Sequence, residues 1–206
     1  MLSLALFSAD QITLPPGFRQ GVVLLAYLLA VMWALAIVDF MTGRRLLNQL
    51  SIRPRSLAGL PGIAVAPLLH GGFGHLAANS GPLAILGTVI LLQGLEVLAL
   101  VTVFCWLFSG VGIWLLGRPG TRHLGASGVV FGYLGYILLR GYFERSPAAI
   151  AAAVVVGLLY GSALWGLLPL QQGKSWVGHG MGFAGGVIVA RKLPIMLEWV
   201  RNNSGW

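Results

Sequence analysis

Ser127 sits in Gly125-Ala126-Ser127-Gly128, where the pattern predicts the start of a helix. Backbone N–H groups at a helix start have no intrahelical partner and can stabilise an oxyanion. The flanking Gly125 and Gly128 leave room for a substrate backbone. A hydroxyl is a poor nucleophile without a base to take its proton. His179 is the histidine on the helix expected to pack beside Ser127, and a neutral imidazole there can accept that proton. His75 and Asn79 are spaced i, i+4 and share a helix face. Both can donate hydrogen bonds, and donors aimed at one point are what a tetrahedral intermediate needs. Taken alone, Gly-x-Ser-Gly is a weak signal, because small residues are common where membrane helices pack.

The acids exclude several other chemistries. Asp10, Asp39, Glu96, Glu144 and Glu198 each lie in a tail or at the boundary of an apolar stretch. Paired-aspartate proteolysis needs two buried carboxylates, and ion-coupled transport usually places carboxylates at the midplane. The His-Glu-x-x-His of zinc proteases is absent, so no metal ligands are assigned. Without a buried carboxylate, Ser127 and His179 would form a dyad and not a triad. His70, His75, His123 and His179 are functional candidates wherever they lie in or beside apolar segments. Each, taken singly, serves equally well as a hydrogen-bonded structural histidine. A bis-histidine haem site using His75 and His179 is the other geometry open to them; no cofactor is otherwise indicated.

These residues must be positioned by membrane helices. Of the 206 residues, 57% are hydrophobic and 9% are charged, against about 25% charge in a soluble domain. Charge-free stretches of spanning length predict six helices, roughly at 20–41, 76–95, 97–117, 125–142, 148–168 and 176–193. The expected architecture is an all-α polytopic membrane protein forming a single domain over 1–206, with a core of about 20–193 and tails at 1–19 and 194–206. The net charge of +8 comes from basic residues at helix ends, where anionic headgroups meet them. They form no stripe of the kind that binds nucleic acid. Their distribution gives no orientation by the positive-inside rule. The single cysteine, Cys105, excludes an intramolecular disulfide. The first 18 residues lack the features of a cleaved signal peptide. The first span is therefore expected to be retained, and the absence of a targeting peptide points to a bacterial inner membrane.

Residues 42–69 form one long connection, in which leucines and isoleucines alternate with four arginines. That mixture suits a segment in the headgroup region; a plain solvated loop is the alternative. Gly128, Gly132 and Gly135 make one glycine stripe, and Gly182 and Gly186 share a face with His179. Such stripes let membrane helices approach closely, so the fourth and sixth helices are expected to pack together. The charge-free stretches that hold them are also the shortest, at 17 and 16 residues. Short helices at membrane depth tend to line a polar cavity.

In order and spacing, His70-x4-His75-x3-Asn79, Gly-Ala-Ser127-Gly and His179-x2-Gly182-x3-Gly186 resemble the rhomboid intramembrane serine proteases. The resemblance covers roughly residues 45–190. It implies a six-helix core, a water-filled cavity open to the outer face, and an inside N-terminus. Ser127 would be the nucleophile and His179 the general base. His75 and Asn79 would line the oxyanion hole with the Ser127 backbone N–H, and His70 would tie down the first loop. The substrates implied are transmembrane segments of other proteins, cut near their ends and often after a small residue. Phe131 stands where some members have tyrosine, keeping a stacking face for the histidine, and Gly178 stands where alanine is usual. The rival reading is a non-catalytic relative that binds membrane helices without cutting them.

Overall fold

The computed structural model describes residues 14–169 and 175–204. Asp10, Lys174 and most of the 1–19 tail lie outside the described residues. The elements are α1 (Phe18–Met41), α2 (Arg45–Leu50), α3 (Pro61–Val65), α4 (Phe73–Leu91), α5 (Leu95–Leu116), α6 (Ser127–Glu144), α7 (Pro147–Tyr160) and α8 (Trp176–Ser204). Among the described residues the fold is all-α. Its one isolated β-bridge joins Ile52 to His123.

Five helices are long and apolar enough to cross a membrane: α1, α4, α5, α7 with its 3-10 continuation to Leu167, and α8. The other predicted helix, α6, is 18 residues long, or about 27 Å at 1.5 Å per residue. It is the central helix. Every residue from Gly128 to Ile137 is buried, against α4, α5, α7 and α8. A helix sheathed in protein needs no apolar surface for lipid, so it can carry Tyr133 and Tyr136. Their hydroxyls are matched, Tyr133 with Thr102 at 2.7 Å and Tyr136 donating to Gln93 at 2.5 Å, as buried phenols require.

The approach of α8 to α6 depends on glycine. A Cβ at Gly182 would lie 2.0 Å from the Gly128 carbonyl oxygen, and one at Gly186 would lie 1.9 Å from that of Gly132. No side chain fits there. On α6 the stripe is shared. Gly135 meets the Phe183 carbonyl of α8, while Gly128 and Gly132 face Ser109 and Cys105 of α5 first. The central helix has neighbours on every side, so one glycine stripe serves two of them.

Two helix ends differ most from expectation. The predicted 148–168 helix is α-helical only to Tyr160 and continues as a 3-10 helix over Gly161–Leu167. Gly161 and Gly166 have poor helix propensity, and Pro169 disfavours the α conformation at Leu168. At the other end, α8 runs through Pro194 to Ser204, so residues expected as a tail are helical. Pro194 removes only one backbone hydrogen bond from the ladder. Arg201 then bonds Glu96 at the start of α5 at 2.8 Å.

The 42–69 connection is neither extended nor loose. Trp106 Nε1 donates to the Ile63 carbonyl at 3.0 Å and Trp114 Nε1 to that of Ser56 at 2.9 Å. Two indoles of α5 thus hold the segment against the bundle. Asp39, at the end of α1, is buried. It accepts the Leu47 N–H at 3.0 Å and lies 3.7 Å from Arg44, which anchors α2.

Candidate active site

Ser127 is the first residue of α6, and His179 is in the first turn of α8. The glycine contacts bring those two ends together. Ser127 Oγ lies 3.0 Å from His179 Nε2. His179 Nδ1 lies 2.9 Å from the carbonyl oxygen of Gly166. A carbonyl can only accept, so Nδ1 carries the hydrogen, and in the neutral ring Nε2 is the acceptor for the Ser127 hydroxyl. The Gly166 carbonyl therefore takes the orienting place that a carboxylate fills in a triad. The sequence held no sign of it, because a backbone acceptor carries no residue-type signature. Phe131 completes the setting. Its ring stacks on the imidazole with centroids 4.1 Å apart and planes 6° apart. Gly166 must be small here, since a Cβ would come within 2.8 Å of Phe131 and 3.3 Å of His179 Nδ1.

His75 and Asn79 both lie on α4 and converge on Gly125. A Cβ at Gly125 would be 3.0 Å from His75 Nε2 and 3.7 Å from Asn79 Nδ2. Gly125 has φ +104°, in the region that favours glycine, which lets the chain turn sharply into Ser127. Asn79 is buried, and one of its amide hydrogens is used on the His75 carbonyl at 3.0 Å. Imidazole, amide and the N–H groups at the start of α6 thus surround one small volume. A narrow cleft borders Ser127, lined also by Gly125, Gly128, His123 and Ser175. The arrangement can deprotonate a hydroxyl and supply donors to an oxyanion beside it.

His70 is buried just before α4. Its Nε2 accepts the Ala126 N–H at 3.4 Å, and its carbonyl accepts from Arg44 at 3.4 Å. It therefore connects the first connection to the residue before Ser127. His123 was a candidate with no assigned role; the structure places it against Ser175 and Thr121. The predicted residues are all brought to this one region, except that Gly186 lies two helical turns below His179 and acts by packing. Among the described residues no group of three or more His, Cys, Asp and Glu side chains is placed to hold a metal.

A family model for the Rhomboid domain matches residues 59–194. The chain belongs to the rhomboid family. The matched segment contains every residue of the cluster around Ser127. Uncharacterized proteins of Mycobacterium tuberculosis and Mycobacterium leprae are also similar. The first is 37% identical over 188 residues, covering 87% of this chain and 78% of the relative. The second is 37% identical over 178 residues, covering 82% and 70%. This rhomboid is an integral multi-pass membrane protein, and its bacterial relatives fit an inner-membrane location.

The buried histidines outside the spans set a pH limit. Burial first, and His75 beside it second, push the His70 imidazole down to about 4; burial also lowers His123. Between about pH 4 and the ordinary value of 6.5 the unfolded chain binds more protons than the folded one. Stability therefore rises with pH across that window and falls on acidification. The thermal midpoint in detergent is expected to drop between pH 7 and pH 4.5, and His70→Phe should flatten the drop. A midpoint independent of pH over this range would contradict the neutral, buried His70.

Proposed function

We propose that this rhomboid is a serine endopeptidase that cleaves transmembrane segments of other proteins. The observation that carries the reading is the directed chain from Gly166 through His179 to Ser127. It leaves Nε2 as an acceptor aimed at the Ser127 hydroxyl, at the start of α6. His179 takes the Ser127 proton as Oγ attacks the scissile carbonyl. The oxyanion that forms is met by donors from His75, Asn79 and the start of α6, and His179 then returns the proton to the leaving amine. Protonated His179 has no acceptor for the serine, so the neutral ring is the form that can act as base. The membrane-spanning helices around the site support a transmembrane segment as the substrate. The test is cleavage of a labelled transmembrane substrate by wild type and by Ser127→Ala.

The oxyanion assignment has its own expected result. Removing one such donor typically costs about 2.7–4 kcal/mol of barrier, or a hundredfold to a thousandfold in kcat. Asn79→Ala should show a loss toward the lower end of that range if His75 shares the charge. The loss should fall on kcat more than on KM, because the charge exists only near the transition state. A defect confined to KM would assign Asn79 to packing.

A further inference from the structure

His123 stands four residues before Ser127, and its two ring nitrogens face different elements. Nε2 lies 2.8 Å from Thr121 Oγ1, and Nδ1 lies 2.8 Å from Ser175 Oγ. Thr121 Oγ1 donates to the Arg118 carbonyl at 2.5 Å, so toward His123 it accepts, and Nε2 carries the hydrogen. In the neutral ring Nδ1 is then bare and accepts from the Ser175 hydroxyl. The Ser175 oxygen in turn accepts the Gly178 backbone N–H at 3.3 Å. Every hydrogen has one direction. The tautomer is the reverse of that of His179.

Ser175 is the cap of α8. Its hydroxyl takes the Gly178 N–H, and its carbonyl takes the His179 N–H at 3.0 Å. The His123 backbone is pinned from the other side. Its N–H donates to the Ile52 carbonyl at 3.0 Å, and its carbonyl accepts from the Ile52 N–H at 2.9 Å. His123 is thus fixed to the first connection by its main chain and to the turn that carries the base by its side chain. His123, Ser175, Gly178 and Ser127 line the same cleft.

We propose that His123 is a positioning residue for the Ser127–His179 pair. By accepting the Ser175 hydroxyl it clamps the N-terminus of α8 to the segment that leads into Ser127. The glycine stripe brings the same two ends close, with Gly128 against the Gly178 carbonyl and Gly182, and the His123 bond adds a directional hold on the α8 end. Burial keeps the imidazole neutral near pH 7, as the bare Nδ1 requires. The role rests on the protease reading above.

Substitutions can separate the two bonds. His123→Asn keeps an acceptor where Nδ1 is, His123→Gln keeps a donor where Nε2 is, and His123→Leu keeps neither. Each is assayed for kcat and KM on a labelled transmembrane substrate, for the rate of fluorophosphonate labelling at Ser127, and for thermal midpoint. His123→Leu and His123→Gln are expected to lose about tenfold to a hundredfold in kcat and in labelling rate, the size that about 1 Å of misplacement produces. KM should stay within about twofold, and His123→Asn should stay within about threefold of wild type in kcat, KM and labelling rate. Adding Ser175→Ala to His123→Leu should cost little further kcat, while the lost cap on Gly178 lowers the midpoint. Equal losses in all three variants that follow their midpoints would make His123 a stability residue only and overturn the proposal, as would a His123→Leu enzyme with wild-type kcat. A wild type that is neither labelled nor active overturns the protease reading and this role with it. Active wild type with unaffected variants removes the role alone.

Discussion

Ser127→Ala is expected to abolish cleavage of a transmembrane substrate while leaving the protein folded. The substitution removes one oxygen at the first residue of α6, and alanine is a better helix former than serine. Nothing else in the cluster can replace the hydroxyl. Ser127 Oγ is the hydroxyl placed 3.0 Å from His179 Nε2. In soluble serine proteases, losing the nucleophile costs about a millionfold in kcat, so turnover should fall below detection. A fluorophosphonate should label wild type at Ser127 and should label neither Ser127→Ala nor His179→Ala. Because the probe needs a nucleophile and a base but no particular substrate, it separates a protease from a relative that only binds helices. A wild-type protein inert to both probe and substrate would favour the binding reading. An alanine variant as active as wild type would end the assignment of Ser127.

Gly186→Val should lose most activity although it removes no reacting group. A Cβ at that position would lie 1.9 Å from the Gly132 carbonyl and 2.6 Å from the Tyr136 nitrogen, both backbone atoms that cannot rotate away. α8 must move off α6 to admit it. Overpacking of this kind costs about 1–3 kcal/mol, so the thermal midpoint should fall. The Ser127–His179 bond of 3.0 Å is held by the same helix pair, and about 1 Å of misplacement can cost a hundredfold in rate. Even Gly182→Ala should be damaging, with a Cβ placed 2.0 Å from the Gly128 carbonyl. Gly157→Ala is the control. Its Cβ would meet only Leu138, at an ordinary 3.6 Å, and the change should keep stability and activity. If Gly186→Val matched wild type in both, contact between α6 and α8 would not set the dyad distance.

Much of this protein was legible from residue types alone. Scarce charge and long apolar runs specify membrane helices, because only a lipid solvent tolerates so little polar surface. The pairing of Ser127 with His179 was legible because the candidate hydroxyl and the candidate base each lay beside a glycine stripe. The structure puts them 3.0 Å apart for the steric reason the stripes suggested. The burial of α6 was less visible. Its tyrosines and glycines lower its hydropathy, and only its neighbours show why that is tolerated. Three features required the tertiary structure. The Gly166 carbonyl sets the tautomer of His179, but any residue type offers a carbonyl, so only its place in space marks it. The continuation of α8 past Pro194 depends on packing of Met196 and Leu197 against the core of the bundle. The clamp from His123 to Ser175 joins residues 52 positions apart. Neither spacing nor periodicity encodes a contact of that kind. Residue type and local period state which groups are available; the direction in which each hydrogen points is decided by partners that only the folded chain brings within reach.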